Sequence, residues 1–132
     1  MSFVLHPRLD ADAVFIADWP LCRLLLMNDA RYPWLILVPR RAGAVEMTDL
    51  AADDRAGLLN EMIRAGEIVR GLPGVTKLNI GALGNLVPQL HVHIVGRHPG
   101  DPAWPGPVWG HSAATPYEDQ GRDSLIALVR SL

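Results

Sequence analysis

The chain has 132 residues, 49% of them apolar and four of them Trp, which fits a single globular domain over residues 1–132 and excludes a disordered segment or a second domain. Twelve Lys and Arg against fourteen Asp and Glu leave a formal net charge of -2, so no global field draws the protein to nucleic acid or anionic lipid. Cys22, the one cysteine, excludes an internal disulfide and a multi-thiolate metal site and reads as a small core residue.

No basic segment followed by an apolar run opens the chain, and no stretch reaches the ~20 apolar residues of a membrane span, so a cytoplasmic location without a membrane partner is expected. Apolar runs at residues 13–17, 21–27 and 34–38 alternate with short spacers, Asp18-Trp19-Pro20 and residues 28–33, whose composition joins antiparallel neighbours. A three-stranded meander is expected. Beyond Asp49, Leu58, Leu59, Met62, Ile63, Ile68, Val69 and Leu72 recur at three- and four-residue intervals with Glu61 and other charged residues between them. That periodicity predicts an amphipathic helix over about 52–70, with Asp53 and Asp54 in its first turn and Gly71 to Gly74 stopping it.

Two more strands are predicted at 75–80 and 90–95, joined by a Gly-rich turn at 81–85. The prolines of residues 98–110 forbid a helix and a central strand alike, leaving an ordered loop that carries Trp104 and Trp109 as anchors or interface residues, with stacking platforms as the alternative. Thr115, Pro116 and Glu118 read as a capping box with proline at the first helical position, opening a C-terminal helix over about 116–132. The expected fold is α+β: a five-stranded antiparallel sheet, one long helix and a short C-terminal helix.

The chemistry-bearing run is residues 79–95, NIGALGNLVPQLHVHIV. Strand alternation puts Gln89, His91 and His93 on one face and Leu90, Val92 and Ile94 on the other. Two imidazoles two residues apart can both reach one tetrahedral phosphate, and near pH 7 a histidine can serve as nucleophile or as hydrogen-bond donor. The spacing alone leaves open a paired surface histidine strand or a two-histidine metal site. Asn85 follows Gly84 as a turn residue tolerant of left-handed backbone, with a phosphate contact as the alternative, and the turn's N–H groups form a possible anion cradle. Arg97, His98, His6 and His111 read as solvated.

The run resembles the histidine triad family, whose signature is His-φ-His-φ-His-φ-φ after a Gly-rich turn, and the likeness extends from Phe3 through Asn28 and the long helix to Trp109, a core of about 3–109. His91 and His93 match the second and third histidines. The resemblance implies that His91 attacks the α-phosphorus of a nucleotide and forms a covalent nucleotidyl-imidazole, while His93 contacts the phosphoryl oxygens or leaving group. It implies that Asn28 holds the ribose hydroxyls, that Asn79 lies near the phosphate and leaving group, and that Leu26 lines the base pocket. No cofactor is implied. The implied partners are a purine nucleotide substrate (a phosphoramidate, dinucleoside polyphosphate or adenylylated conjugate) and a second copy of the chain.

The departures are Gln89, where the family has its first histidine, and Leu86, where several relatives carry a hydroxyl. Glutamine does not titrate, so position 89 serves through its backbone carbonyl, fixing the nucleophile's tautomer, or its side chain takes part and activity is lowered or redirected. The rival reading is a nucleotide-binding homodimer that does not turn substrate over. A metal module built on His91 and His93 lacks a carboxylate or cysteine at ligand spacing.

Overall fold

The computed structural model describes residues 2–132. Strands β1 (Ala13–Asp18), β2 (Cys22–Met27), β3 (Trp34–Pro39), β4 (Lys77–Gly81) and β5 (Val92–Arg97) form one antiparallel sheet in the order β1-β2-β3-β5-β4. Helices α1 (Pro7–Asp12), α2 (Ala52–Arg70) and α3 (Asp119–Arg130) complete the expected α+β architecture, with a 3-10 turn at Met47–Asp49. None of these helices is long and apolar enough to cross a membrane.

The sheet separates two cores. Even-numbered residues of β2, β5 and, in part, odd-numbered ones of β3 (Leu24, Leu26, Leu35, Leu37, Val92, Ile94) pack with Leu58, Ala65 and Val69 of α2 and with Ile126 and Val129 of α3. The opposite face buries Leu25, Trp34, Ile36, Val38 and Val95 under Leu9 of α1, Val87, Ala103 and Val108. Every residue of β3 and β5 is buried; β3 accordingly reads as a continuous apolar run, whereas β5 buries His93 and Arg97 among its apolar residues. At Gly96, a Cβ would come within 2.8 Å of Val69 Cγ1 and 2.9 Å of Val75 Cγ2, so the close approach of β5 to α2 requires glycine.

Several expectations are corrected. The helix α1 was not foreseen; His6 caps it, accepting the Arg8 N–H, and Pro7 occupies its first turn. Glu61 lies buried, its carboxylate accepting the backbone N–H groups of Leu21 (2.9 Å) and Cys22 (2.8 Å) and fixing the β1–β2 turn to α2. Leu59 and Ile63 are apolar yet exposed, so the buried stripe of α2 is narrower than its apolar periodicity. The C-terminal helix starts at Asp119 with Glu118 as its uncapped N-cap. Thr115 and Tyr117 are drawn out of helical geometry because Thr115 N–H donates to Asp29 Oδ1, Thr115 C=O accepts from Ala30, and Tyr117 N–H donates to Asn28 Oδ1. Arg97 is not solvated: it is 1% exposed, paired with the buried Asp101 through Nε and Nη2 at 2.7 and 2.8 Å. Cys22 lies in the core, where burial foremost, and then Glu61, pushes its thiol far up from its ordinary range, leaving it unreactive.

Candidate active site

The start of β5 delivers the two histidines to the sheet face that α2 leaves free. Leu90 N–H bonds to Ala44 C=O, setting the parity that sends Leu90, Val92 and Ile94 into the helix-side core and His91 and His93 the other way. The imidazole centroids are 4.8 Å apart and the rings are inclined at 70°, with both residues buried. They line a cavity of about 550 Å³, in the range of small-molecule sites.

Each ring has one nitrogen occupied. His91 Nδ1 lies 2.7 Å from the Gln89 carbonyl, and because a carbonyl only accepts, Nδ1 carries the proton and Nε2 keeps its lone pair. His93 Nδ1 accepts the Trp34 indole N–H at 3.0 Å, so the neutral ring carries its proton on Nε2. Burial first, and then the charge of His91, lower the pKa of His93 to about 4. Trp34 and Trp109 each stand edge-on to His93 with centroids 5.6 Å away. Gly81, paired across the sheet with His93, makes room for this: a Cβ there would lie 3.2 Å from the Trp109 ring.

The rest of the cavity is part apolar and part charged. Met27, Ile36, Leu9 and Val87 supply its apolar wall. Arg8, Asp12, Asp29 and Arg31 supply the charges. Arg31 donates from Nε and Nη2 to the two Asp29 oxygens at 3.0 and 2.9 Å. Burial works to raise the Asp29 pKa, but these bonds and the N–H groups of Arg31 and Thr115 outweigh it and hold the carboxyl below its usual range. Among the described residues no group of three or more His, Cys, Asp or Glu is arranged to hold a metal ion.

The model of the HIT domain family matches residues 8–100, spanning both histidines and the sheet that carries them. The chain belongs to the histidine triad (HIT) family. A crystal structure of a histidine triad protein from Bradyrhizobium japonicum is 45% identical, with a TM-score of 0.96 and coverage of 99% of this chain and 98% of that one. HIT proteins from Sinorhizobium meliloti 1021 and Marinobacter aquaeolei VT8 are each 44% identical, with TM-scores of 0.95 and 0.96. They cover 98% and 99% of this chain, and 96% of each of theirs is covered. A search of curated proteins returned no significant match. HIT proteins are generally nucleotide hydrolases or transferases.

The HIT fold brings together only part of the expected residue set. His91, His93 and the Gln89 carbonyl form one unit. The Gln89 side chain points elsewhere: its Nε2 donates to Val4 C=O and its Oε1 accepts His6 N–H, both at 2.8 Å, tying the N-terminal arm ahead of α1 to the active-site strand. Asn85 lines the cavity with Leu83, Gly84 and Leu86, but the left-handed residue of the turn is Gly84 (φ 70°), not Asn85. Leu26 lies in the helix-side core, and Met27 takes the cavity position expected for it, because adjacent residues of a strand face opposite sides. Asn28 is outside the cavity lining, its Oδ1 engaged by Tyr117 N–H, while its neighbour Asp29 lines the cavity. Asn79 is likewise outside: its Oδ1 accepts from Arg97 Nη1 at 2.8 Å.

Sequence reading missed Trp34, Trp109, Arg8, Asp12, Asp29 and Arg31 as cavity residues. Trp34 follows from the β3–β5 register, which only the folded sheet supplies. It shares parity with Ile36, the partner of His93, and therefore faces the same side.

Proposed function

We propose that the chain is a nucleotidyl hydrolase or transferase acting at the α-phosphate of a purine nucleotide conjugate through a covalent nucleotidyl-His91 intermediate. The observation that carries this reading is the Gln89 carbonyl against His91 Nδ1, which leaves the Nε2 lone pair as a nucleophile beside a second imidazole that offers an N–H. In the first step Nε2 of His91 forms an N–P bond as the bond from phosphorus to the leaving group breaks and its electron pair departs with that group. The imidazole then carries a positive charge, which the Gln89 carbonyl stabilises through the Nδ1 proton. Water next attacks phosphorus, loses a proton to solvent, and returns the N–P electron pair to Nε2.

His93 Nε2–H donates where charge accumulates, and the exposed Asn85 side chain and the turn's amides stand at the same cavity as further donors. On this reading glutamine replaces the first triad histidine without loss of the chemical role, because that role belongs to the backbone carbonyl. The reading includes a homodimer. It is supported by β4 lying at the sheet edge and by Ile80 on that strand and Leu59 and Ile63 on α2 being exposed apolar residues.

The test is AMP release, followed by chromatography, from diadenosine tetraphosphate and from adenosine 5′-phosphoramidate. Turnover of at least one substrate, reduced by about a thousandfold or more in His91→Ala, is expected. No release from either, with AMP still bound tightly, contradicts the enzyme reading and leaves a nucleotide-binding protein.

A further inference from the structure

Trp34 stands at the start of β3, opposite Val95, with its ring on the cavity face. Tyr32 and Trp109 pack edge-on against it, with centroids 6.3 and 6.4 Å away, holding the indole in place. Its N–H reaches His93 Nδ1 at 3.0 Å. An indole nitrogen donates and never accepts, so an imidazolium at His93 would set one N–H against another. We propose that Trp34 is a positioning residue that holds His93 as a neutral hydrogen-bond donor, and that this confines the enzyme to substrates whose leaving group departs from phosphorus as an anion: nucleoside phosphate anhydrides in preference to phosphoramidates.

This inference rests on the nucleotidyl-transfer reading above. When the P–O bond of an anhydride breaks, the electron pair goes to a phosphate oxygen that is stable as an anion near neutral pH. A hydrogen bond from His93 Nε2–H suffices there, and no proton changes hands. When a P–N bond breaks, the nitrogen has to gain a proton as it leaves, because an amide anion is too basic to depart. A neutral imidazole does not yield its N–H proton under these conditions.

Among the described residues, no other group facing His93 replaces that proton. His91 is in ring contact, but its Nδ1 proton is committed to the Gln89 carbonyl and its Nε2 is the attacking atom. Asp29 is held ionised by Arg31, and Asp12 is paired with Arg8 at 3.5 Å. Trp109, the other ring against His93, does not titrate. Burial, the larger cause of a His93 pKa lowered to about 4, keeps the imidazolium scarce at neutral pH even before the clash with Trp34 is counted.

Two measurements test the proposal. The first is long-range ¹H–¹⁵N correlation spectroscopy of the histidine rings in the unmodified protein between pH 5 and 9, which requires no turnover. His93 should show a proton on Nε2 and none on Nδ1, and His91 the reverse; a proton on His93 Nδ1 overturns the role of Trp34. The second compares kcat/KM on diadenosine tetraphosphate and adenosine 5′-phosphoramidate at pH 7. The anhydride should be favoured on the order of 100-fold, and Trp34→Phe should shrink that ratio at least about tenfold and move the acid limb of the pH profile upward. Equal or faster cleavage of the phosphoramidate by the unmodified protein overturns the leaving-group preference while leaving nucleotidyl transfer intact. Release of AMP from neither substrate overturns that preference together with the enzyme reading, while the tautomer result still decides the role of Trp34.

Discussion

His91 and His93 lie two residues apart on one strand face, yet their partners give them opposite tautomers: a backbone acceptor for one and an indole donor for the other. For His93 this has a thermodynamic consequence. An unfolded chain holds a histidine near pKa 6.5, whereas folded His93 titrates at about 4, so between these values the unfolded state binds a proton that the folded state refuses. The stability linked to His93 is therefore complete above about pH 6.5 and is lost as pH falls toward 4, by on the order of 3 kcal/mol. Asp29 and Asp101, both held below the usual carboxylate range, subtract stability only at more acidic pH. Urea denaturation between pH 8 and 4 should show a fall in unfolding free energy across the first window that His93→Gln flattens; parallel curves for the two proteins would contradict a buried neutral His93.

At the scale of elements, the sheet and long helix were legible because their signals are periodic and independent of partners. The α2 stripe, the meander spacers and the Gly-rich turn each specify local geometry before any tertiary contact forms. Facing was harder to read. In β2 the sequence Leu24-Leu25-Leu26-Met27 is apolar on both sides, so nothing local told that Leu26 goes under the helix and Met27 into the cavity. Where alternation survives, as in residues 90–94, the faces follow the pattern: Leu90, Val92 and Ile94 enter the helix-side core and His91 and His93 line the cavity. The C-terminal helix starts later than its capping pattern predicts because that pattern at Thr115 competes with hydrogen bonds to Asn28 and Asp29, residues distant in sequence that no local motif reveals. Helix α1 has six residues, too few for periodicity to register, yet it contributes Arg8, Leu9 and Asp12 to the cavity. The same logic applies to Gln89, which the sequence pattern sets beside the histidines while its amide is spent on anchoring the arm that leads into α1.

At the scale of the whole molecule, the edge strand β4 and the helix α2 that packs beside it each carry exposed apolar side chains. Leu59 and Ile63 are 57% and 55% exposed, and Ile80 on β4 is 46% exposed. Pairing of two copies through this edge would extend the sheet and cover these side chains, satisfying the unpaired backbone groups of the edge strand at the same time. Light scattering on the eluting protein should give twice the chain mass, and Ile63→Glu should give the monomer mass with the fold retained by circular dichroism; a monomeric unmodified protein at micromolar concentration would contradict this interface. The central claim, covalent transfer through His91, is tested most directly by rapid mixing with diadenosine tetraphosphate, a neutral quench and intact-mass spectrometry. The account predicts a transient gain of one adenylyl group, mapped by fragmentation to His91 and absent in His91→Ala. AMP release by His91→Ala at the unmodified rate, with no adduct in either protein, would contradict it.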